Sequence, residues 1–241
     1  MNPQESATAA VTGGRLDEAI AIYEQLGDSS LVGASLSFDR GIAYALRARS
    51  GQGVAGDYGR AAHGFEEALR RDPHDREAQR VLDEIRREIA KRDARASGRS
   101  EELGATPVWR TIVVALPGDA WAGLAIASSL ILAGALAMRP RLARGARLAA
   151  STIATVAVIA LVVFSAIGLS ARWLRANLRE AVVISPHAVA TPDGDSAPID
   201  LDEGQRVDVV EERAGTTLVR TEKGTGWAPR DALRTLPSYR P

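Results

Sequence analysis

Apolar positions along the chain change their period twice. In "GRLDEAIAIYEQL", Gly14 to Leu26, the residues Leu16, Ala19, Ile20, Tyr23 and Leu26 fall at i, i+3, i+4, i+7 and i+10. That single stripe predicts an amphipathic helix. The same spacing returns in "GDYGRAAHGFEEAL", Gly56 to Leu69, where Tyr58, Ala61 and Phe65 take the places of Leu16, Ala19 and Tyr23. Pro73 in "RRDP" ends this second helix, and Asp75 is placed to cap the next. In "REAQRVLDEIRREIA" the residues Ala78, Val81, Leu82, Ile85 and Ile89 share one side and charges fill the other, which predicts a solvated closing helix.

Periodicity then gives way to continuous apolar runs. Ala120 to Met138 carries no charge over 19 residues, and as a helix it would be about 28 Å long, close to the hydrocarbon thickness of a bilayer. Leu148 to Leu169 adds 22 uncharged residues whose polar members are Ser and Thr, side chains that can bond back to their own helix. A transmembrane hairpin is predicted, because the flanking pieces are too small to enclose two helices that are apolar all round. Gly123, Ala127, Ser151 and Thr155 are the small residues expected to let the spans approach.

The connection "RPRLARGAR" holds Arg139, Arg141, Arg144 and Arg147 with no acid among them. Short basic loops resist translocation, so this loop is expected in the cytoplasm and both flanks outside it. Arg172, Arg175 and Arg179 after the second span favour the opposite orientation, but the loop is the denser cluster. Export of the first flank calls for a signal sequence, and "MNPQESATAA" has neither a charged n-region nor an apolar h-region. The expectation is an internal or processed start, with inverted topology as the alternative.

From residue 181 the pattern shortens to period two. "RVDVVEER", "TTLVRT" and "TGWAP" predict strands, and "TPDGD", "DEG" and "EKGTG" predict turns, together a small β-barrel. Trp227, the one aromatic in these strands, is expected to fill the barrel interior.

Charge sharpens the division. The 30 basic and 30 acidic residues cancel overall. By segment, however, residues 1–105 net −3, residues 106–180 net +6 and residues 181–241 net −3. Two mildly acidic flanks around a basic, apolar middle predict two soluble modules tied to a membrane segment. The positive charge sits at the edges of apolar runs and not on a face interleaved with aromatics, which argues against nucleic acid as a partner. The chain has no cysteine, which excludes disulfides, thiol catalysis and thiolate metal sites.

Three resemblances follow. The repeated helices resemble the tetratricopeptide repeat family, in which helix pairs stack through small residues and an aromatic. Gly41 and Tyr44 stand in "DRGIAYAL" like that family's first-helix residues, and Ala61, Phe65, Ala68 and Pro73 match its second helix and terminating proline. The segment "RARSGQGVAG" separates Tyr44 from Tyr58 by 14 residues and reads as an inserted loop. The last segment resembles bacterial SH3-like domains through "L-x-x-G", Leu201 to Gly204, and "GWAP", Gly226 to Pro229, with Trp227 between. Repeats, an arginine-linked hairpin and an SH3-like barrel in this order resemble the BatE-type proteins of bacterial aerotolerance operons. That resemblance implies periplasmic soluble parts and membrane-anchored von Willebrand factor A-domain proteins as partners.

Catalysis has little to stand on. His63, His74 and His187 lack metal-ligand spacing, and His63 and His74 read as surface residues of the repeats. Glu66 with Glu67 and Glu211 with Glu212 are adjacent in sequence and therefore diverge, on a helix or across a strand. No phosphate-binding "GxxxxGK[ST]" loop and no "GxSxG" elbow occurs. No enzyme, metal or cofactor is expected.

The sequence therefore predicts a multidomain membrane protein. Residues 1–92 form an all-α tetratricopeptide module, 93–119 a linker, 120–138 and 148–170 the transmembrane hairpin around a cytoplasmic loop 139–147, and 181–237 a small all-β SH3-like domain. The function expected is a protein–protein interaction scaffold in the bacterial inner membrane, whose repeat groove (Phe38, Ile42, Ala45, Leu46) binds an apolar or amphipathic partner segment. The alternative is a cell-wall sensor binding peptidoglycan through the SH3-like domain.

Overall fold

The computed structural model describes all residues except Met1, 29–32, 98–117, 142, 178, 195 and 238–241. The chain divides into two compact units: residues 1–104 together with 178–241, and residues 105–177.

The first unit opens with five helices, each packing on the next: α1 Pro3–Thr12, α2 Leu16–Asp28, α3 Ala34–Arg49, α4 Asp57–Arg71 and α5 Arg76–Ser97. Helix α1 takes in most of "MNPQESATAA". Its start is written in "NPQE": the Asn2 side chain accepts from the Gln4 N–H, Glu5 reaches back to the Asn2 N–H at 3.1 Å, and Pro3 needs no N–H partner. Asp75 caps α5 as its position suggests, accepting from the amides of Glu77 and Ala78 at 2.9 and 3.0 Å. The expected inserted loop covers seven of its ten residues, 50–56, because α3 runs on to Arg49 before α4 begins.

The predicted stripe residues Leu16, Ala19, Tyr23, Gly41, Tyr44, Ala61, Phe65 and Ala68 are buried, Tyr58 is half-buried and Pro73 is exposed beyond the end of α4. Two glycines explain how closely α3 and α4 cross. A Cβ on Gly64 would lie 2.8 Å from the Gly41 backbone, and one on Gly41 would lie 3.0 Å from the Phe65 ring. Phe65 then fills the crossing, edge-on to Phe38 with ring centroids 5.5 Å apart.

The remainder of this unit is an antiparallel β-sheet domain. Strands β1 Arg179–Val183, β4 Arg206–Arg213, β5 Thr216–Thr221, β6 Gly224–Pro229 and β7 Leu233–Thr235 form a sheet in the order β6-β5-β4-β1-β7. β2 Ala188–Ala190 and β3 Ile199–Leu201 form a separate pair, tied to β6 by the two mutual backbone bonds of Thr191 and Trp227, at 2.9 and 2.8 Å. The core between them is built from small aliphatic side chains, among them Ala181, Val183, Ala190, Leu201, Val207 and Val219.

Trp227 is not in that core. On β6 the buried positions are Gly226 and Ala228, so period two turns Trp227 outward. There Arg213 stacks over its ring at 4.2 Å, and its indole N–H donates to Asp193 Oδ1 at 3.0 Å. A glycine at 226 admits the neighbouring strand, since a Cβ there would lie 3.1 Å from Ala190.

The second unit is the apolar hairpin, α6 Gly118–Met138 and α7 Arg144–Asn177, joined through a 3-10 turn Arg139–Arg141. Both helices are long and apolar enough to cross a membrane, over Ala120–Met138 and Ala146–Ser170, and both are largely exposed. Their covered positions alternate by four and three: Trp121, Ala125, Ser128, Leu132 and Ala135 on α6, and Ala150, Ala154, Ala157, Leu161, Phe164 and Gly168 on α7. This is the spacing of a coiled-coil contact made mostly of small residues. Gly123, Ala127 and Thr155 are exposed and Ser151 is only half-buried, so the packing stripe differs from the expected one. The choice among many small residues depends on the rotation of each helix about its axis, which uniform apolarity leaves unspecified. Large apolar side chains such as Leu130, Ile131, Val156, Ile159 and Val162 point outward. Ser128, Ser151, Thr152 and Thr155 each bond a carbonyl of their own helix.

Candidate functional site: a charged seam between helices and sheet

The sequence reading separates the two flanks into independent modules, whereas the structure brings both into one compact unit with a continuous interface. Strand β1 shows why. Ala181 and Val183 face the sheet core, while Val182 belongs to the helical core, which Leu236 also enters after β7. A strand buried on both faces reads as a continuous apolar run, and "AVV" is that run.

Glycines again set the approach. Gly56 adopts φ +88° before α4, and a Cβ on it would collide with the Ile184 carbonyl; one on Gly59 would lie 2.7 Å from the Val183 carbonyl. Gly204 turns at φ +73° with Ile89 of α5 2.8 Å from where its Cβ would be, so the "L-x-x-G" glycine is a contact to the helices. Having a glycine at its N-cap, α4 has no capping side chain of its own. Glu203, from the loop before β4, supplies one: its Oε1 accepts the Gly59 N–H at 2.6 Å, and Arg92 of α5 pairs with Oε2 at 2.6 Å.

Further ion pairs fill the seam. Glu66 is almost fully buried and receives both Arg86 of α5 and Arg206 of β4. Burial pushes its carboxyl up, but Arg206 and Arg86 outweigh this and hold it below the usual carboxylate range. Arg70 pairs with Glu180 of β1, and its Nη1 donates to the Pro237 carbonyl at 2.8 Å. Glu24 of α2 receives Arg234 of β7 and the Tyr44 hydroxyl, the latter at 2.9 Å. Its carboxyl is likewise lowered by Arg234 against the opposing effect of burial. Arg40 pairs with Glu67 within the helices. A polar cavity of about 130 Å³ lies beside Glu66, lined by Arg70, Gln79, Asp83, Arg86 and Arg206 among others.

His63 is a correction: it is a seam residue and not a surface residue. It is 3% exposed, and its Nε2 lies 3.1 Å from the Thr235 carbonyl of β7. Burial, with Arg234 adding to it, pushes the imidazole down to about 4. His74 and His187 are exposed. Among the described residues, no group of three or more His, Asp or Glu side chains is placed to hold a metal. Glu66 and Glu67 do diverge as neighbours on a helix must, but both are buried, each in its own ion pair.

The residues expected to line a groove are only partly available. Ala45 is buried, Phe38 and Ile42 are half-buried against the helical core, and Leu46 is 39% exposed. Gly204 and Gly226 are buried and Pro229 is exposed. Arg139 and Arg147 are exposed at the hairpin turn, while the side chains of Arg141 and Arg144, like those of Arg172 and Arg175, lie outside the described residues.

Sequence reasoning missed the seam because its carboxylates and guanidiniums look like an ordinary solvated face. One signal was present: Glu66, Glu67 and Arg70 lie on a helix unusually rich in Gly and Ala, which lets other elements come close from several sides. No family model matches this chain, and no curated protein or solved structure matches it.

Proposed function

We propose that this chain is a bacterial inner-membrane interaction scaffold of the BatE type. In this reading its helices are tetratricopeptide-like repeats and its sheet domain is SH3-like, both held outside the cytoplasm by a two-span anchor. The observation that carries this reading is the seam. Segments on either side of the hairpin share buried ion pairs, Glu66 with Arg206 and Arg70 with Glu180, and therefore need to reach the same side of a membrane. Two crossings provide that, and one would not. The hairpin adds support, with mostly small side chains at the helix contact and large apolar ones such as Leu130, Ile131 and Val162 outward, the arrangement that lipid favours and water does not.

The sheet domain touches the repeats through α2, α4 and α5, by way of Glu24, His63, Arg70 and Ile89. α3 comes to the same contact through Arg40 and Tyr44, which leaves α1 and the end of α3 around Leu46, the most open apolar residue of the predicted groove, for other proteins such as membrane-anchored von Willebrand factor A-domain proteins. Among the described residues, the buried carboxylates Glu66, Glu67, Glu180 and Glu203 are each taken up by guanidinium or backbone N–H, which supports a binding role.

Topology tests the proposal. A reporter active only in the periplasm is fused after Pro241 and, separately, at Ala143. Activity at the C-terminus alone is the expected result. Activity only at Ala143 would place both soluble parts in the cytoplasm and overturn it.

The outward position of Trp227 favours a second reading, in which the sheet domain binds peptidoglycan. Co-sedimentation of the detergent-solubilised full chain with purified cell wall, lost in Trp227→Ala, supports that reading; a chain that stays in the supernatant supports the scaffold.

A further inference from the structure

We propose that His63 makes the seam between helices and sheet an acid-sensitive latch, closed by the neutral imidazole and released when the ring takes up a second proton. The ring sits inside α4 with its Nε2 against the Thr235 carbonyl of β7, so the neutral tautomer carrying its proton on Nε2 donates across the seam. Its Nδ1 is also buried and has no hydrogen-bond partner among the described residues. A proton added there has no acceptor to meet.

The charges around the ring oppose it as well. From β7 comes Arg234, from α3 Arg40, and from α4 the neighbours Glu66, Glu67 and Arg70. Glu67 is the carboxylate that acts on the ring, and it is already engaged by Arg40 and Arg71. Glu66 is held by Arg86 and Arg206, Glu180 of β1 by Arg70, and Glu24 of α2 by Arg234 with Arg40 at 3.9 Å. An imidazolium would therefore stand beside two guanidiniums, with the local carboxylates committed elsewhere. Parting the sheet from α4 gives the ring water and removes Arg234.

The sign follows from linkage. A ring that titrates near 4 when closed and near 6.5 when open favours the closed state fully above about 6.5, and that advantage is lost as pH falls from there toward 4. By the same relation the closed-to-open ratio is about 30-fold smaller at pH 5 than at pH 7.5. Glu24, Glu66 and Glu67 are held low, so what they contribute is fully present above the usual carboxylate range and is lost as pH falls through and below it, beneath most of the imidazole's window. The latch does not depend on which side of a membrane the unit occupies.

The chain lacks cysteine, so single thiols can report opening. Ala62→Cys places one in the seam under Gly204, and Ala7→Cys places one in α1 away from it; both sites are fully buried. In the detergent-solubilised full chain, reaction with an aryl disulfide reagent is compared with that of Gln25→Cys, an exposed site on α2, at each pH. Protection in Ala62→Cys is expected to fall about 30-fold from pH 7.5 to 5 while that in Ala7→Cys is kept, and adding His63→Gln, which can still donate to Thr235, is expected to abolish the fall. Constant protection at 62, an equal fall in His63→Gln, or a parallel loss at 7 overturns the proposal. Should His63→Gln not fold, the imidazole resonance of the unaltered chain decides: titration below 6.5 in step with the loss of protection supports the latch, and titration near 6.5 with protection intact overturns it.

Discussion

Glu66→Ala is expected to lower the stability of the helix and sheet unit by about 3 kcal/mol, the low end of what removing one partner of a buried ion pair costs. Glu66 is 1% exposed and joins α4 to both α5 and β4. Its loss leaves Arg86 and Arg206 facing each other beside a polar cavity, with Arg70 close by. Both outer guanidiniums are about a third exposed and can turn toward water, which is why the expected cost is not larger. Thermal melts of the full chain in detergent, followed by circular dichroism, measure it. A double-mutant cycle with Arg206→Ala isolates the link to the sheet: a coupling well above the ~0.5 kcal/mol seen for independent sites is expected. Additive effects would mean that the pair does not hold the two parts together.

The second large effect concerns separation. Residues 178–241 expressed alone are expected to show no cooperative melt, and mixing them with residues 1–104 is expected to restore one. The sheet's own core is thin, five alanines among its eleven buried residues and no aromatic ring. Cutting it from the helices exposes Val182 and Leu236, each worth about 1.5–3 kcal/mol of apolar burial. The helices lose the α4 cap from Glu203 and the partners of Glu66, Arg70 and Glu24. A sharp, unchanged melt of the isolated sheet segment, matching its transition in the whole chain, would show that the seam is dispensable to it.

Both expectations turn on a contact that spans more than a hundred residues of sequence. Local features of the chain are far easier to read. The stripe Leu16, Ala19, Tyr23 and its copy Tyr58, Ala61, Phe65 form α2 and α4 because a period of 3.6 needs one buried face, whatever covers it. "RVDVVEER" and "TTLVRT" form β4 and β5 with the drawn boundaries, since Gly215 and the surrounding turns allow few alternatives. Helix α1 escapes a reading that weighs the first residues as a leader, although its capping box stands in plain sight as a helix start.

Other differences share another cause. Residue type sends Trp227 inward, yet its place on β6 relative to Gly226 and Ala228 turns it outward. Polarity sends His63 outward, yet it lies on the α4 face that meets β7. In each case the hydropathy of one side chain stands in for a choice that only the position of a second element makes.

The two long apolar helices and the helical and β character of their flanks are legible in the order of residues alone, and so is the lack of cysteine in it. These depend on periodicity, run length and residue count, which are local quantities. Tertiary structure alone decided that the two flanks form one unit, that Glu203 caps a helix 144 residues away, and that Glu66, Arg70 and His63 are buried. A charged side chain carries the same letter whether water or a distant guanidinium surrounds it, and only the fold specifies which.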